Sequence, residues 1–284
     1  MAKINLEPFQ NVVTTGGVAI MTTTRIWPNT LEYIAITLGG TTPFTKANLT
    51  RIQVQLGSKT IWDLTGSELQ TINSYEGRVA TATVLLLPFA NWFARSIAEQ
   101  YLGAIDFGAV GIRDMTIQIT TAAAGVAPTI SAIAEVAPPK VLDASSNVLF
   151  RALLRTNVTV ANATTFAPFL INYGQAGGAL LRRMFFFSAL VTALEWKRDG
   201  LDILEQIPLA LITAIQSESY FHTPQSNVYT YDVTEDDIES KALTTIRTDS
   251  KGNVSLIPQQ TLVSNSGAGT YDVISDVFAN VNGL

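Results

Sequence analysis

The stretch RIQVQLGSKTIWDL, residues 51–64, reads as a β-hairpin arm running into a turn, with apolar and polar residues alternating on its first arm. A second stretch, TALEWKRDGLDILEQ (192–206), answers it 142 positions later: Ile52 matches Leu194, Val54 Trp196, Ile61 Ile203, Trp62 Leu204 and Asp63 Glu205. The turn glycine is Gly57 in the first copy and falls one register position later, at Gly200, in the second. A further echo, displaced by 144, aligns Gly125, Ile130, Ser131 and Ile133 with Gly269, Ile274, Ser275 and Val277. Two matches at nearly one offset predict one β-domain written twice in a 284-residue chain.

The remaining segments support a β-rich reading. VAIMTTTRI (18–26), TLEYIAITL (30–38), LTRIQVQL (49–56), VATATVLLL (79–87) and DMTIQITT (114–121) read as strands in the first half. RTNVTVANATT (155–165), MFFFSALVTALEW (184–196), NVYTYDVT (227–234), KALTTIRT (241–248) and SLIPQQTLVS (255–264) do so in the second. Helices are few and short. Ser67 with Gln70 predicts a capping box for a helix over 67–75, and Pro208 suits the first turn of a matching helix, PLALITAIQS (208–217). In FANWFARSIAEQYLG (89–103), Phe89, Phe93, Ile97 and Tyr101 recur every four residues, predicting a helix with a core-facing stripe stopped by Gly103. The proline-containing stretch EVAPPKVLDASSN (135–147) marks a boundary, dividing the chain into domains 1–138 and 139–284 with an exposed N-terminal arm over about 1–12.

Composition narrows the function. Hydrophobic residues make up 47% of the chain and charged residues 14%, against the roughly 25% typical of soluble domains. So little charge predicts extensive burial against other subunits. A net charge of −5 argues against nucleic-acid binding, and Arg182-Arg183 is too small a basic cluster to make a binding stripe. No cysteine is present, so disulfides, thiolate catalysis and Cys-based metal sites are excluded. MAKINLEPFQ lacks a signal-peptide pattern, which predicts synthesis in the cytoplasm. The longest apolar run, MFFFSALVTAL (184–194), is 11 residues, short of the ~20 that a membrane helix needs, and is read as a buried strand.

Catalytic and metal-binding readings find little purchase. The single histidine, His222, could join Ser217 or Ser219 and Asp232 in a triad, but no G-x-S-x-G elbow positions them. A two-domain cupin needs clustered histidines, which one histidine cannot supply. TEDDIES (234–240), with Glu235, Asp236 and Asp237, offers oxygen ligands for a calcium ion but lacks EF-hand spacing, and a solvated turn capped by Thr234 is the preferred reading. GQAGG (174–178) and SGAGT (266–270) carry no phosphate-loop signature, and the sequons at Asn48 and Asn162 matter only in a secreted chain. No catalytic, cofactor-binding or metal-ligating residue is therefore assigned, and no cofactor is expected.

The segment LLLPFANWFARSIAEQYLGAIDFGAVGIRDMTIQITTAAAGVAPTISAIAEV (85–136) resembles the major capsid proteins of tailless, membrane-containing icosahedral bacteriophages of the corticovirus type. The likeness lies in a strand ending in Pro, a helix closing on Gln100 and Leu102-Gly103, a further strand, and AAAG (122–125) followed by SAIA (131–134). RIQVQLGSKTIWDL fits the first domain of that family and LEWKRDGLDILEQ the second; the likeness runs in order from about residue 15 to 217 and fades beyond. The resemblance implies an all-β double jelly roll: two tandem eight-stranded β-sandwiches with a few short helices. It further implies a homotrimeric, pseudo-hexagonal capsomer tiling an icosahedral shell, with itself, other capsid or membrane proteins of the virion and an internal viral membrane as partners, and no direct nucleic-acid contact. The chain would be a structural protein of the virion with no enzymatic activity. The alternative is a soluble two-domain β-sandwich module binding a ligand or carbohydrate.

Overall fold

A computed structural model describes residues 2–42, 44–78, 81–122, 125–139, 149–170, 178–220 and 222–280. It divides into two compact units, Met1–Leu154 and Arg155–Leu284. Most of the stretch 135–147 read as a boundary lies outside the described residues, as do all of GQAGG but its last glycine and the two central residues of AAAG.

In the first unit the strands are β1 (Ala2–Asn5), β2 (Gly17–Thr23), β3 (Thr30–Gly39), β4 (Leu49–Leu56), β5 (Lys59–Leu64), β6 (Val84–Pro88), the two-residue β7 (Ile105–Asp106), β8 (Met115–Thr121) and β9 (Thr129–Ala137). One sheet runs β1-β9-β3-β6 and the other β2-β8-β4-β5. Numbering the eight longer strands in chain order, the first sheet holds the first, eighth, third and sixth, and the second holds the second, seventh, fourth and fifth. That alternation between sheets is the jelly-roll winding. Apolar side chains meet between the sheets: Leu31, Ile34, Ile36, Leu85 and Leu87 from one, Met21, Ile52, Val54, Trp62, Ile117 and Ile119 from the other, all buried.

The second unit repeats the winding. Its strands are β10 (Phe150–Val160, whose first residues lie in the first unit), β11 (Thr164–Leu170), β12 (Ala179–Phe187), β13 (Val191–Arg198), β14 (Leu201–Pro208), β15 (Val228–Asp232), the short β16 (Leu243–Thr244), β17 (Ile246–Thr248) and β18 (Val254–Leu256), then β19 (Gln259–Asn265) and β20 (Gly269–Ala279). The orders β10-β20-β12-β15 and β11-β19-β13-β14 place the same eight successive strands in the same sheet positions as in the first unit. The fold is all-β with two tandem jelly rolls. The echo at offset 144 falls on β9 and β20, which occupy corresponding positions, although neither stood among the strands read directly from alternation.

The opening hairpin repeats down to its irregularity. In β4–β5, Val54 faces Trp62 and Gln55 faces Thr60, leaving Ile61 as an extra residue; in β13–β14, Trp196 faces Leu204 and Lys197 faces Asp202, leaving Ile203 extra. The same bulge thus recurs 142 positions on. The turns differ. Gly57 alone takes positive φ (54°) in the first, the II′ arrangement, whereas Asp199 (52°) and Gly200 (81°) both do in the second, the I′ arrangement. This is why the glycine moves by one position. A further register shift beyond Trp196 coincides with Gln206 at φ 49° and adds one residue to the second copy before its helix begins.

Several expectations are corrected. The helix α1 (Gly66–Tyr75) is capped by Thr65 and Glu68, not Ser67 and Gln70: the Thr65 hydroxyl accepts from the Glu68 amide at 3.1 Å and the Glu68 carboxylate accepts from the Thr65 amide at 2.6 Å. Residues 89–103 form no continuous helix. Only α2 (Ile97–Gln100) is helical there, because Asn91 Oδ1 accepts from Phe93 N and Ser96 Oγ from Glu99 N, restarting the chain twice. Phe93 and Ile97 are consequently exposed rather than core. A third short helix, α3 (Phe107–Val110), was not foreseen. Pro208 sits at the N-cap of α4 (Leu209–Ser219), one position before the first turn.

The run 184–196 breaks between β12 and β13, where Ser188 Oγ accepts from Leu190 N at 3.0 Å. Residues 155–165 break between β10 and β11, 241–248 divide into β16 and β17, and 255–264 break around Pro258 between β18 and β19. The N-terminal arm is not a free tail: Ala2–Asn5 pairs antiparallel with β9, and Leu6 and Phe9 are buried.

A β-branched residue at position 200 meets no steric obstacle but cannot adopt φ 81° cheaply. Gly200→Val is expected to destabilise the protein by about 1–2 kcal/mol, read as a lowered midpoint in denaturant at fixed protein concentration. Gly200→Asn, which tolerates this backbone region, is expected to retain most of the stability.

Candidate functional site

The second unit buries two consecutive arginines in β12. Strict strand alternation would send Arg182 and Arg183 to opposite faces. A register shift between Leu181 and Arg183 against β20 makes Arg182 the extra residue of a bulge, and both side chains end up buried. The only adjacent basic pair singled out in the sequence is therefore internal and not a surface patch.

Their partners come partly from the acidic run and partly from β15 and β20. Arg182 grips Glu239 in a two-pronged contact (Nε to Oε2, 2.7 Å; Nη2 to Oε1, 2.5 Å) and donates from Nη1 to Asp276 Oδ2 at 2.8 Å. Its guanidinium also lies 4.8 Å from the centre of the Phe278 ring. Burial alone would lower its pKa, but Asp276 and Glu239 outweigh that and hold it above the ordinary value. Arg183 donates from Nε to Asp232 Oδ2 at 2.6 Å, and its Nη2 lies 3.6 Å from Asp237. Asp232 Oδ1 also accepts from the amide and hydroxyl of Thr234 at 2.8 and 3.0 Å.

TEDDIES is thus not a solvated turn. Thr234 and Glu239 are buried, Asp236 pairs with Lys241, and Asp237 and Glu239 answer the two arginines. Among the described residues no group of three or more acidic or histidine side chains is arranged to hold a metal ion. Glu235 differs from its neighbours: burial first, then the charge of Asp232, pushes its carboxyl up to about 7 against an ordinary 4.5.

His222 is buried, with Nε2 at 2.9 Å from the Glu235 carbonyl oxygen and 3.7 Å from Asp232 Oδ2. The structure therefore brings together the His and Asp of the triad considered from sequence. Ser217 and Ser219, by contrast, lie on the exposed side of α4, and Asp232 is engaged by Arg183. The arrangement orients an interior loop and positions no nucleophile. Sequence reasoning missed this network because its members, 182–183, 222, 232–239 and 276, are distant in the chain; the one available signal was the coincidence of an arginine pair and an acidic run in a chain poor in charge.

Two outcomes follow. Arg182→Met would leave Glu239 and Asp276 buried without their cation and is expected to cost about 3–5 kcal/mol of stability in denaturant unfolding. Glu235 costs the fold nothing below pH 4.5, where it is protonated in both states. As pH rises from 4.5 to about 7 the unfolded chain ionises first, so this group's contribution turns unfavourable and stays so above 7. Glu235→Gln is therefore expected to match the parent at pH 4 and exceed it by about 1 kcal/mol at pH 8, the half-exposed carboxyl being partly screened by solvent.

Comparison with known proteins places the chain in a family. Protein-family models for the N-terminal and C-terminal domains of viral coat protein P2 match residues 3–137 and 150–281. No curated protein sequence matches the chain. Among solved structures, the major capsid protein P2 of bacteriophage PM2 superposes with a TM-score of 0.80 at 18% identity, covering 100% of this chain and 99% of that one. The Sulfolobus Turreted Icosahedral Virus structure gives a TM-score of 0.65 at 11% identity, covering 99% and 91%, and the PBCV-1 virus capsid gives 0.61 at 11%, covering 98% and 92%. With its two jelly rolls matched in order by both domain models, the chain belongs to the viral coat protein P2 family, a family of structural proteins and not of enzymes.

Proposed function

We propose that three copies of this chain associate into a pseudo-hexagonal capsomer, and that such capsomers tile an icosahedral shell over an internal membrane. The observation carrying this reading is the repetition of one eight-stranded winding in a single chain. Three such chains contribute six similar jelly rolls, so a three-fold assembly presents a nearly six-fold outline to its neighbours. We place the boundary between the two domains at 138/139; the family matches stop at 137 and resume at 150.

The surface supports self-association. β14 is the last strand of its sheet, and it exposes Leu201 and Ile203, with Leu211 exposed on the α4 that follows it. In the first copy the residues matching Ile203 and Leu204, namely Ile61 and Trp62, are fully buried. Apolar side chains left open on a sheet edge suit burial against another subunit. Other capsid and membrane proteins of the virion complete the partner set, with no direct contact to nucleic acid, in keeping with the net charge of −5. The chain would be made in the host cytoplasm before joining the virion. Among the described residues no helix is long and apolar enough to cross a membrane, so contact with lipid in this reading runs through the surface of the shell.

Light scattering of the purified protein tests the assembly. A trimer whose mass persists on dilution is expected, and Leu201→Asp with Ile203→Lys is expected to shift it towards monomer. A wild-type protein that remains monomeric at every concentration and retains a small-molecule ligand would instead favour the β-sandwich binding module.

A further inference from the structure

One cavity in the first unit belongs to neither the jelly-roll core nor the self-association surface. It is an open pocket of about 430 Å³ between a single 3-10 turn (Lys46–Asn48) and α1, lined by Thr45, Lys46, Ser67, Gln70, Thr71 and Thr81. Ala47 and Ala82 complete the lining, which is more apolar than polar and includes one largely buried cation. Lys46 is only 7% exposed, and among the described residues no carboxylate pairs with its ammonium; its recorded partner is Gln70 Oε1. Burial accordingly lowers the Lys46 pKa below its ordinary value with no compensating charge.

The surroundings hold that ammonium in place. Gln70 donates from Nε2 to Ser74 Oγ at 2.9 Å, which turns its carbonyl oxygen towards Lys46. The 3-10 turn presses so closely on the start of α1 that a Cβ at Gly66 would collide with the Lys46 carbonyl oxygen, so only glycine fits there. The turn is itself fixed by Thr45, whose amide and hydroxyl donate to Asn48 Oδ1 at 3.1 and 3.2 Å. An ammonium has three donors, and a buried one without a counter-ion is costly. Nothing in the repeated architecture requires it: by the 142-residue correspondence Lys46 answers to Ser188, and α4 carries no lysine.

We infer that this pocket binds a phosphate group, with Lys46 supplying the charge and the hydroxyls of Ser67, Thr71 and Thr81 supplying the surrounding donors. One fixed cation ringed by hydroxyls suits an anion with three or four acceptor oxygens better than a carboxylate with two. The pocket is open to solvent and larger than a bare phosphate ion, so the group can arrive as free phosphate or as the phosphomonoester headgroup of a lipid. The inference is independent of the trimeric shell proposed above.

Isothermal titration calorimetry of the full-length protein with inorganic phosphate and with acetate tests it, with thermal melting as a control for folding. Saturable phosphate binding with one site per chain is expected, with acetate at least tenfold weaker and Lys46→Met reducing phosphate affinity tenfold or more. If Lys46→Met fails to fold, Thr71→Val decides instead, with an expected severalfold loss at unchanged melting temperature. Absence of saturable phosphate binding to the parent, or undiminished binding by the deciding variant, overturns the site. Flotation with vesicles containing phosphatidic acid then assigns the source. Binding that free phosphate displaces identifies a lipid headgroup, and phosphate binding without flotation identifies the free anion; either supports the site.

Discussion

A bulge of one residue, Ile61 in the first hairpin and Ile203 in the second, governs how each of these hairpins lies in its sheet. Side chains alternate along a regular strand, and an extra residue on one arm interrupts that alternation, so that Ile61 and Trp62 are both buried while the pairs on either side still share a face. In the first copy this places Val54 and Trp62 opposite one another and both in the core, where the Trp62 indole donates to the Arg151 carbonyl at 2.9 Å and packs 4.7 Å from Phe89. In the second copy Trp196 takes the place of Val54, is likewise buried, and stacks 4.8 Å from Tyr231. The large aromatic has moved to the opposite arm, but the register that receives it is unchanged. Conserved geometry with relocated bulk is what volume-tolerant core packing allows.

Much of this was legible because period-two alternation leaves a direct trace in sequence. The β4 strand, Leu49–Leu56, coincides with the run LTRIQVQL, and the paired hairpins gave the tandem arrangement without any reference to structure. What was illegible had local competitors. Phe89, Phe93, Ile97 and Tyr101 carry a helical period, but Asn91 and Ser96 side chains satisfy the backbone amides that a continuous helix would have used. Ser188 breaks an apolar run in the same way, at Leu190. The N-terminal strand went unread because the polar, irregular segment around Ala2–Asn5 has few apolar side chains to announce it; its register comes from β9, more than 120 residues away.

The charged groups were the least legible part and separate the two units most clearly. A low charge content implied buried contacts, and it proves equally compatible with charges that are themselves buried. Arg182 and Arg183 are held against Glu239, Asp276 and Asp232, so this arginine pair contributes to a loop anchor and nothing to the surface field. Such a network is sensitive to the loss of any member, since one unpaired buried charge costs more than the pair contributes. It pins residues 232–241 across β12, a segment whose length and acidity would otherwise favour a solvated excursion. The first unit has its own buried contact of this kind, Arg151 from the start of β10 to Glu76 at the C-cap of α1, at 2.7 Å. Architecture was duplicated; the polar anchors were not.

The central claim is that one winding, written twice, lets three chains imitate a hexagon. Electron microscopy of particles containing the chain tests it most directly. The account predicts capsomers with three-fold symmetry and a pseudo-hexagonal outline, each resolving into six upright β-sandwiches. Capsomers built from any other number of sandwiches, or particles in which this chain forms no capsomer, would contradict it.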